Sequence, residues 1–339
     1  MRRCINVAVA GLGRIGRLHA YTIKYHIPSA ELIAVVDIIP ERVKKVANEL
    51  KVKPYTDFLQ LLEKQEDVVD AVIIATPTHT HKEIILLAME YGKDIFCEKP
   101  LTSTLDDAFE ISNKIYNRGV ILQVGYMRRF DFVYNYAHNL IHSDAIGDIL
   151  AINFITCDSG KPPSWVFNRK LSGGIFLDML SHEIDLARYF VNSEVKLIHA
   201  HGKVSYFKEA EQGNDLDTAF LSIIFENGTM CNICGCRRIA NEYKIIVEIF
   251  GSKGQILIDY DLLKYRSMRI RAPTLNTATE PWFIKRFYYA YIKEIKHFVN
   301  CVITGTKPEV DLWDGLEAVR ISTIAWQSFE RQEIIQLKE

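Results

Sequence analysis

Asp178 and His182 stand four residues apart in the run Ser172-Gly173-Gly174-Ile175-Phe176-Leu177-Asp178-Met179-Leu180-Ser181-His182-Glu183-Ile184-Asp185. Apolar residues at helical spacing predict a helix over about 175–191, so the two side chains share a face. An imidazole titrates near neutrality and suits a general base. Lys99 follows a short apolar strand, Asp94–Cys97, and precedes Pro100. An ammonium at the carboxyl end of a parallel strand can hydrogen-bond a substrate oxygen and stabilise developing negative charge. The plainer alternatives are a solvated loop lysine and an ordinary helix-surface pair.

A second chemistry lies at the N-terminus. Gly11-Leu12-Gly13-Arg14-Ile15-Gly16 follows a strand and opens a helix, the context that gives G-x-G-x-x-G its meaning. The first glycine allows the tight turn. The second lets backbone approach a pyrophosphate, and the third lets helix and strand pack closely. The helix start adds N–H donors and partial positive charge. Asp37 ends the next strand, 21 residues after Gly16, where a carboxylate accepts the ribose hydroxyls. It repels a 2′-phosphate, and Ile38-Ile39-Pro40 offer no cation. NAD is therefore expected over NADP.

Seven cysteines are present, three of them in Cys231-Asn232-Ile233-Cys234-Gly235-Cys236. Strand alternation puts Cys234 and Cys236 on one face and Cys231 on the other, and no second cysteine pair follows. No metal is expected. Reduced, partly buried thiols suit a cytoplasmic protein. Lys and Arg number 41 against 42 Asp and Glu, so bulk charge favours neither nucleic acid nor an anionic membrane. No apolar stretch approaches the ~18 residues of a membrane span, and no signal-peptide pattern precedes the first strand.

These residues need elements to hold them. Over 1–124, apolar strands alternate with helices, as in Cys4–Ala10, 14–25, Leu32–Val36, 41–50, Ala71–Ala75 and Leu105 to Asn117. That is a Rossmann-type α/β domain with a doubly wound parallel sheet. The pattern changes near 124–130. Residues 125–339 read as an α+β domain with a large, mostly antiparallel open sheet. Its strands are Ile149–Cys157, Val195–Phe207, Thr218–Phe225, Gly228–Cys236, Lys244–Phe250 and Gln255–Tyr260, and Asn227-Gly228 forms a hairpin turn. Helices close the chain at about 283–304 and 312–332.

Four segments join the glycine motif. They are Ala75-Thr76-Pro77-Thr78-His79-Thr80-His81, Cys97-Glu98-Lys99-Pro100, Gln123-Val124-Gly125-Tyr126-Met127-Arg128-Arg129-Phe130-Asp131, and the Asp178–His182 run. In this order they resemble the Gfo/Idh/MocA oxidoreductases over essentially the whole chain, with inositol 2-dehydrogenase as the most similar branch. The resemblance implies NAD-linked oxidation of a secondary hydroxyl of a cyclic polyol, myo-inositol going to 2-keto-myo-inositol. It makes His182 the proton acceptor, with Lys99 and Asp178 as its polar partners. It assigns Thr76, Pro77, His81, Glu98, Lys99 and Gln123 to the cofactor side. Met127, Arg128 and Asp158 match substrate contacts, beside Lys99, Asp178 and His182. Arg128-Arg129 has a plainer reading as a surface pair or a bridge to Asp131.

One stretch departs from the branch. Its members tend to carry Tyr-Gly-Tyr-Asp where this chain has Asn241-Glu242-Tyr243-Lys244. Only Tyr243 is kept, and Asn241 and Lys244 change the expected polar lining. The resemblance also implies a homo-oligomer, dimer or tetramer, through the C-terminal sheet. The rival readings are a dehydrogenase of another sugar (aldose, amino sugar, scyllo-inositol or nucleotide sugar) and a non-catalytic NAD-binding sensor.

Overall fold

The computed structural model describes residues 4–115, 118–239, 243–259 and 282–337. Asn117, Tyr260, Asn241 and Glu242 lie outside the described residues. The chain forms two compact units. The first holds Met1–Phe130 and Tyr289–Val319; the second holds Asp131–Tyr288 and Arg320–Glu339. The return of 289–319 to the first unit is a feature that a single cut at 124/125 does not express.

The first unit alternates β1 (Ile5–Ala10), α1 (Arg14–His26), β2 (Ala30–Val36), α2 (Pro40–Leu50), β3 (Lys53–Tyr55) and α3 (Phe58–Lys64). It continues with β4 (Ala71–Ile74), α4 (His81–Glu90), β5 (Asp94–Glu98), α5 (Leu105–Ile115) and β6 (Leu122–Gly125). The sheet runs β3-β2-β1-β4-β5-β6, parallel at every pairing. This is the doubly wound order, with ligand sites at the carboxyl ends of the strands. The strands are buried on both sides, so they read as unbroken apolar runs such as Ala71–Ile74. Ile295, Phe298 and Val299 join Val7, Val9, Ile73 and Phe96 in one core.

The second unit contains α6 (Phe132–His142), β7 (Ile149–Cys157), α7 (Arg169–Ser172), α8 (Ser181–Val191), β8 (Val195–Lys203) and α9 (Lys208–Gln212). Four strands follow, β9 (Thr218–Phe225), β10 (Met230–Cys236), β11 (Lys244–Gly251) and β12 (Gln255–Asp259). α10 (Trp282–Thr304) and α11 (Leu312–Arg331) come next, then β13 (Ile335–Gln336). The sheet order is β12-β11-β7-β10-β9-β8-β13. It is antiparallel except at β7–β10, which pair in parallel. Alternation sets the faces: Ala219, Leu221, Ile223 and Phe225 are buried, whereas Phe220 is 54 % exposed. The expected long strand 195–207 stops at Lys203, and α9 begins at Lys208, just past its expected end.

The expected helix over 175–191 is interrupted. Ile175–Met179 form a single π turn, closed by the Leu180 N–H donating to the Ile175 carbonyl at 3.0 Å, and α8 begins at Ser181. Gly173 and Gly174 enter it at φ +80° and +71°, a conformation L side chains rarely adopt. The Trp326 indole donates to the Gly173 carbonyl (2.8 Å) and the Ser322 hydroxyl to the Phe176 carbonyl (3.0 Å), so α11 holds the turn. Such turns sit often at functional sites.

Candidate functional site

In the first unit the glycine motif turns between β1 and α1. A Cβ on Gly16 would lie 1.7 Å from the Gly11 carbonyl oxygen, and one on Gly11 would lie 2.5 Å from the Ala75 carbonyl oxygen. A Cβ on Gly13 would meet nothing within 4 Å. The outer glycines are thus fixed by packing, and the middle one faces open space where a pyrophosphate fits. Gly13 caps α1 without a side-chain hydrogen bond, so the first-turn N–H groups of Arg14, Ile15 and Gly16 suit an anion. Leu12 is buried. These features fit NAD, which the motif residues and Asp37 would hold.

Asp37 is 7 % exposed. Its carboxylate accepts from the N–H groups of Leu12 (2.7 Å) and Ile39 (3.0 Å) and from Arg42 Nη1 (3.0 Å). Ile38-Ile39-Pro40 hold no cation, as expected; Arg42 follows them, one turn into α2, and is paired with the carboxylate. A carboxylate has about four lone-pair directions, which leaves room for one ribose hydroxyl.

His81 is buried, with ring nitrogens 2.9 Å from the carbonyls of both Thr76 and Pro100. Burial lowers its pKa, against the pull of those carbonyls. It ties the Thr76-Pro77 loop to the Lys99-Pro100 turn, whose peptide bond is cis, and so positions both. Thr76 Oγ1 accepts from Thr80 Oγ1 at 2.8 Å.

Lys99 leaves the carboxyl end of β5, as expected. Its neighbour Glu98 turns inward. The Glu98 carboxylate lies 2.6 Å from His19 Nε2, and Glu294 joins them, all three ligand atoms within 4.8 Å of one another. Burial, reinforced by the charge on Glu98, pushes the Glu294 carboxyl well above the usual range. Gln123 is fully buried too and donates to the Glu294 backbone carbonyl at 3.1 Å. Glu98 and Gln123 are both engaged in the interior of the first unit. His19 and Glu294 escaped the sequence reading because they lie far from Glu98 in the chain.

Met127 and Arg128 are buried in a 3₁₀ turn, Met127–Phe130. Arg129 is not a partner of Asp131. It pairs with Asp314 at 2.8 Å, and Asp131 pairs with Arg286 at 2.8 Å.

In the second unit Asp178 lies in the π turn and His182 opens α8, with side chains on successive turns of different geometry. Asp178 is half-buried, and His182 is 9 % exposed. Asp178 Oδ2 accepts from Arg237 Nη1 at 2.8 Å. Arg237 Nη2 donates to Asp215 Oδ2 at 3.1 Å. Burial raises the Asp215 pKa against the pull of Arg237. For Arg237, burial opposes the charge, but Asp215 and Asp178 outweigh it and raise the pKa. Arg237 and Asp215 were absent from the sequence reading; the one signal was a charge directly after an apolar strand.

Asp158 follows β7 and is half-buried. Its N–H donates to the Cys236 carbonyl (2.9 Å), which sets it beside the start of the Arg237 segment. Tyr243 is half-buried before β11. Lys244 pairs with Cys157, which pairs with Cys236. This row lies on the open sheet face, with Cys234, whereas Cys231 is buried on the other. Lys244 therefore lies on the sheet face opposite Cys231.

Two family models match. One, described as the oxidoreductase family with an NAD-binding Rossmann fold, covers residues 5–126. The other, its C-terminal alpha/beta domain, covers 138–337. The chain belongs to the Gfo/Idh/MocA oxidoreductase family. NAD is the cofactor of this fold. Among its relatives, scyllo-inositol 2-dehydrogenase (NAD(+)) of Bacillus subtilis is 36 % identical, over 99 % of this chain and 97 % of that protein. Myo-inositol 2-dehydrogenase of Thermotoga maritima is 32 % identical, over 99 % of each. A solved scyllo-inositol dehydrogenase from Lactobacillus casei, with NAD(H) and scyllo-inositol bound, has TM-score 0.84 at 28 % identity. That match covers 98 % of this chain and 99 % of the other. Among the described residues, no helix is long and apolar enough to cross a membrane.

Proposed function

We propose that this oxidoreductase removes hydride from carbon 2 of an inositol ring, converting myo-inositol to 2-keto-myo-inositol (scyllo-inosose). The observation that carries the reading is the end-to-end similarity to inositol 2-dehydrogenases, 32 % identical to one named for myo-inositol and 36 % identical to a scyllo-inositol relative. When bound, NAD accepts the hydride. His182 takes the proton of the hydroxyl being oxidised. Lys99 hydrogen-bonds that oxygen and offsets its developing charge. Asp178 is the polar partner of this chemistry, and Met127, Arg128, Asp158 and Tyr243 are contacts for the remaining hydroxyls. A second reading, scyllo-inositol as the substrate, is favoured by the same relative. The two epimers differ only at carbon 2 and give the same ketone. The free thiols support a reducing, cytoplasmic setting.

The test is NADH formation by the purified protein on myo-inositol, scyllo-inositol and glucose. Turnover on either inositol upholds the activity and chooses the epimer. Turnover on glucose alone overturns the substrate, and none on any sugar overturns the activity. Lys99→Ala and His182→Ala should each lose about a thousandfold in kcat while still binding NAD. Wild-type turnover in both would sink the assigned roles. The wild-type oxidation rate should rise with pH as the base loses its proton.

A further inference from the structure

Asp178 is gripped from behind. Arg237 directly follows β10 and is 2 % exposed. Its fork joins two carboxylates: Nη1 to Asp178 Oδ2 at 2.8 Å and Nη2 to Asp215 Oδ2 at 3.1 Å. Asp215, also 2 % exposed, uses its other oxygen to accept from the Ile175 N–H at 2.7 Å. One buried carboxylate thus holds the first N–H of the π turn and the guanidinium that holds the turn's Asp178. The brace is rooted at both ends. The Arg237 N–H donates to the Asp217 carbonyl at 2.7 Å, and the Asp215 N–H to the Ala210 carbonyl at 2.7 Å.

Burying a guanidinium is costly, and an apolar side chain of similar size would fill the space at less cost. What the planar fork adds is direction, since its two nitrogens fix two carboxylates at a set angle. The charged and titratable groups around it are Asp178, Asp215 and Asp158, and His182 follows Asp178 on the next turn. Asp178 and Asp215 are both bonded to this guanidinium, so removing it takes away the contact that aims the Asp178 carboxylate.

We propose that Arg237, anchored on Asp215, is the positioning residue for Asp178: it aims the carboxylate during turnover. The proposal rests on the reading of Asp178 as part of the dehydrogenase chemistry.

Arg237→Met, Arg237→Lys and Asp215→Asn should be compared with wild type on the inositol that wild type oxidises, with kcat and KM measured separately. Folded Arg237→Met should lose about a hundredfold in kcat, with NADH affinity unchanged. Arg237→Lys keeps the charge without the fork, so its kcat should stay depressed. Asp215→Asn loosens the far end of the fork, so its kcat should fall as well. In an Asp178→Asn background, Arg237→Met should add almost no further loss, because no carboxylate is left to aim.

A purely structural Arg237 would lower the melting temperature and cost as much in the Asp178→Asn background as in wild type; that result overturns the proposal, as does near-wild-type kcat in folded Arg237→Met. If Arg237→Met fails to fold, the lysine and asparagine variants carry the same test. If wild type oxidises no inositol, the dehydrogenase reading has failed separately. Crystal structures of wild type and Arg237→Lys then decide: an Asp178 carboxylate swung from its wild-type direction upholds the positioning role, and an unmoved one overturns it.

Discussion

At the scale of single residues, we expect coenzyme choice to turn on a pair. Asp37 holds Arg42, and both face the end of β2. The carboxylate repels a 2′-phosphate, and the guanidinium it occupies would otherwise attract one. Asp37→Ser should therefore do two things at once. It should weaken NAD by losing the ribose acceptor, and it should free Arg42 for the phosphate of NADP. We expect the ratio of kcat/KM for NADP over NAD to rise at least tenfold, about 1.4 kcal/mol. Adding Arg42→Ala should cancel the gain in NADP while leaving the loss in NAD. An unchanged ratio in Asp37→Ser would remove Asp37 from coenzyme selection. Asp37 was legible because its distance from the glycine motif is set by one helix and one strand. Arg42 was not, because it lies beyond Pro40 and only the helical turn of α2 brings it back to the carboxylate.

Elements decide which buried polar groups meet. His19 on α1, Glu98 on β5 and Glu294 on α10 converge inside the first unit. Burial and the charge on Glu98 raise the Glu294 pKa well above the usual range. Above about pH 4.3 the folded protein therefore keeps a proton that the unfolded chain releases. The Glu294 contribution to stability is fully present below that pH and falls as pH rises toward the raised value, by about 1.4 kcal/mol per pH unit. Glu294→Gln has no proton to lose. Urea unfolding should show its stability relative to wild type growing as pH rises, and a constant difference would mean that Glu294 is ionised in the fold. Local patterning made most elements readable, since β7 and β9 are found at the expected residues and α1 within one. The π turn was not readable, because Ile175 to Val191 has unbroken helical periodicity. What interrupts it is an Asp215 carboxylate 40 residues away and two glycines at positive φ. The same limit hid Arg237: its partners depend on strand register and burial, which no local pattern encodes.

For the whole molecule, the open face of the second sheet carries the prediction. Phe220, Met230 and Leu257 point from it at 54 %, 54 % and 44 % exposure, with Ile155 and Ile246 paired between them. Apolar faces of this kind are covered by another protein surface more often than they are left wet. We expect a homo-oligomer by light scattering, and Phe220→Glu with Met230→Lys should shift it toward monomer while the circular dichroism stays native. A monomeric wild type would contradict this. The path of the chain has a consequence of another kind. Residues 289–319 belong with 1–130, and Ile295, Phe298 and Val299 complete the core around β1, β4 and β5. During synthesis the nucleotide-binding half must wait, unfinished, while the intervening segment emerges from the ribosome. At about 5–20 residues per second, the roughly 160 residues from 131 to 288 impose a delay of about ten to thirty seconds. The nascent first unit therefore offers a bare apolar seat throughout that interval, and chaperone capture should peak before α10 emerges.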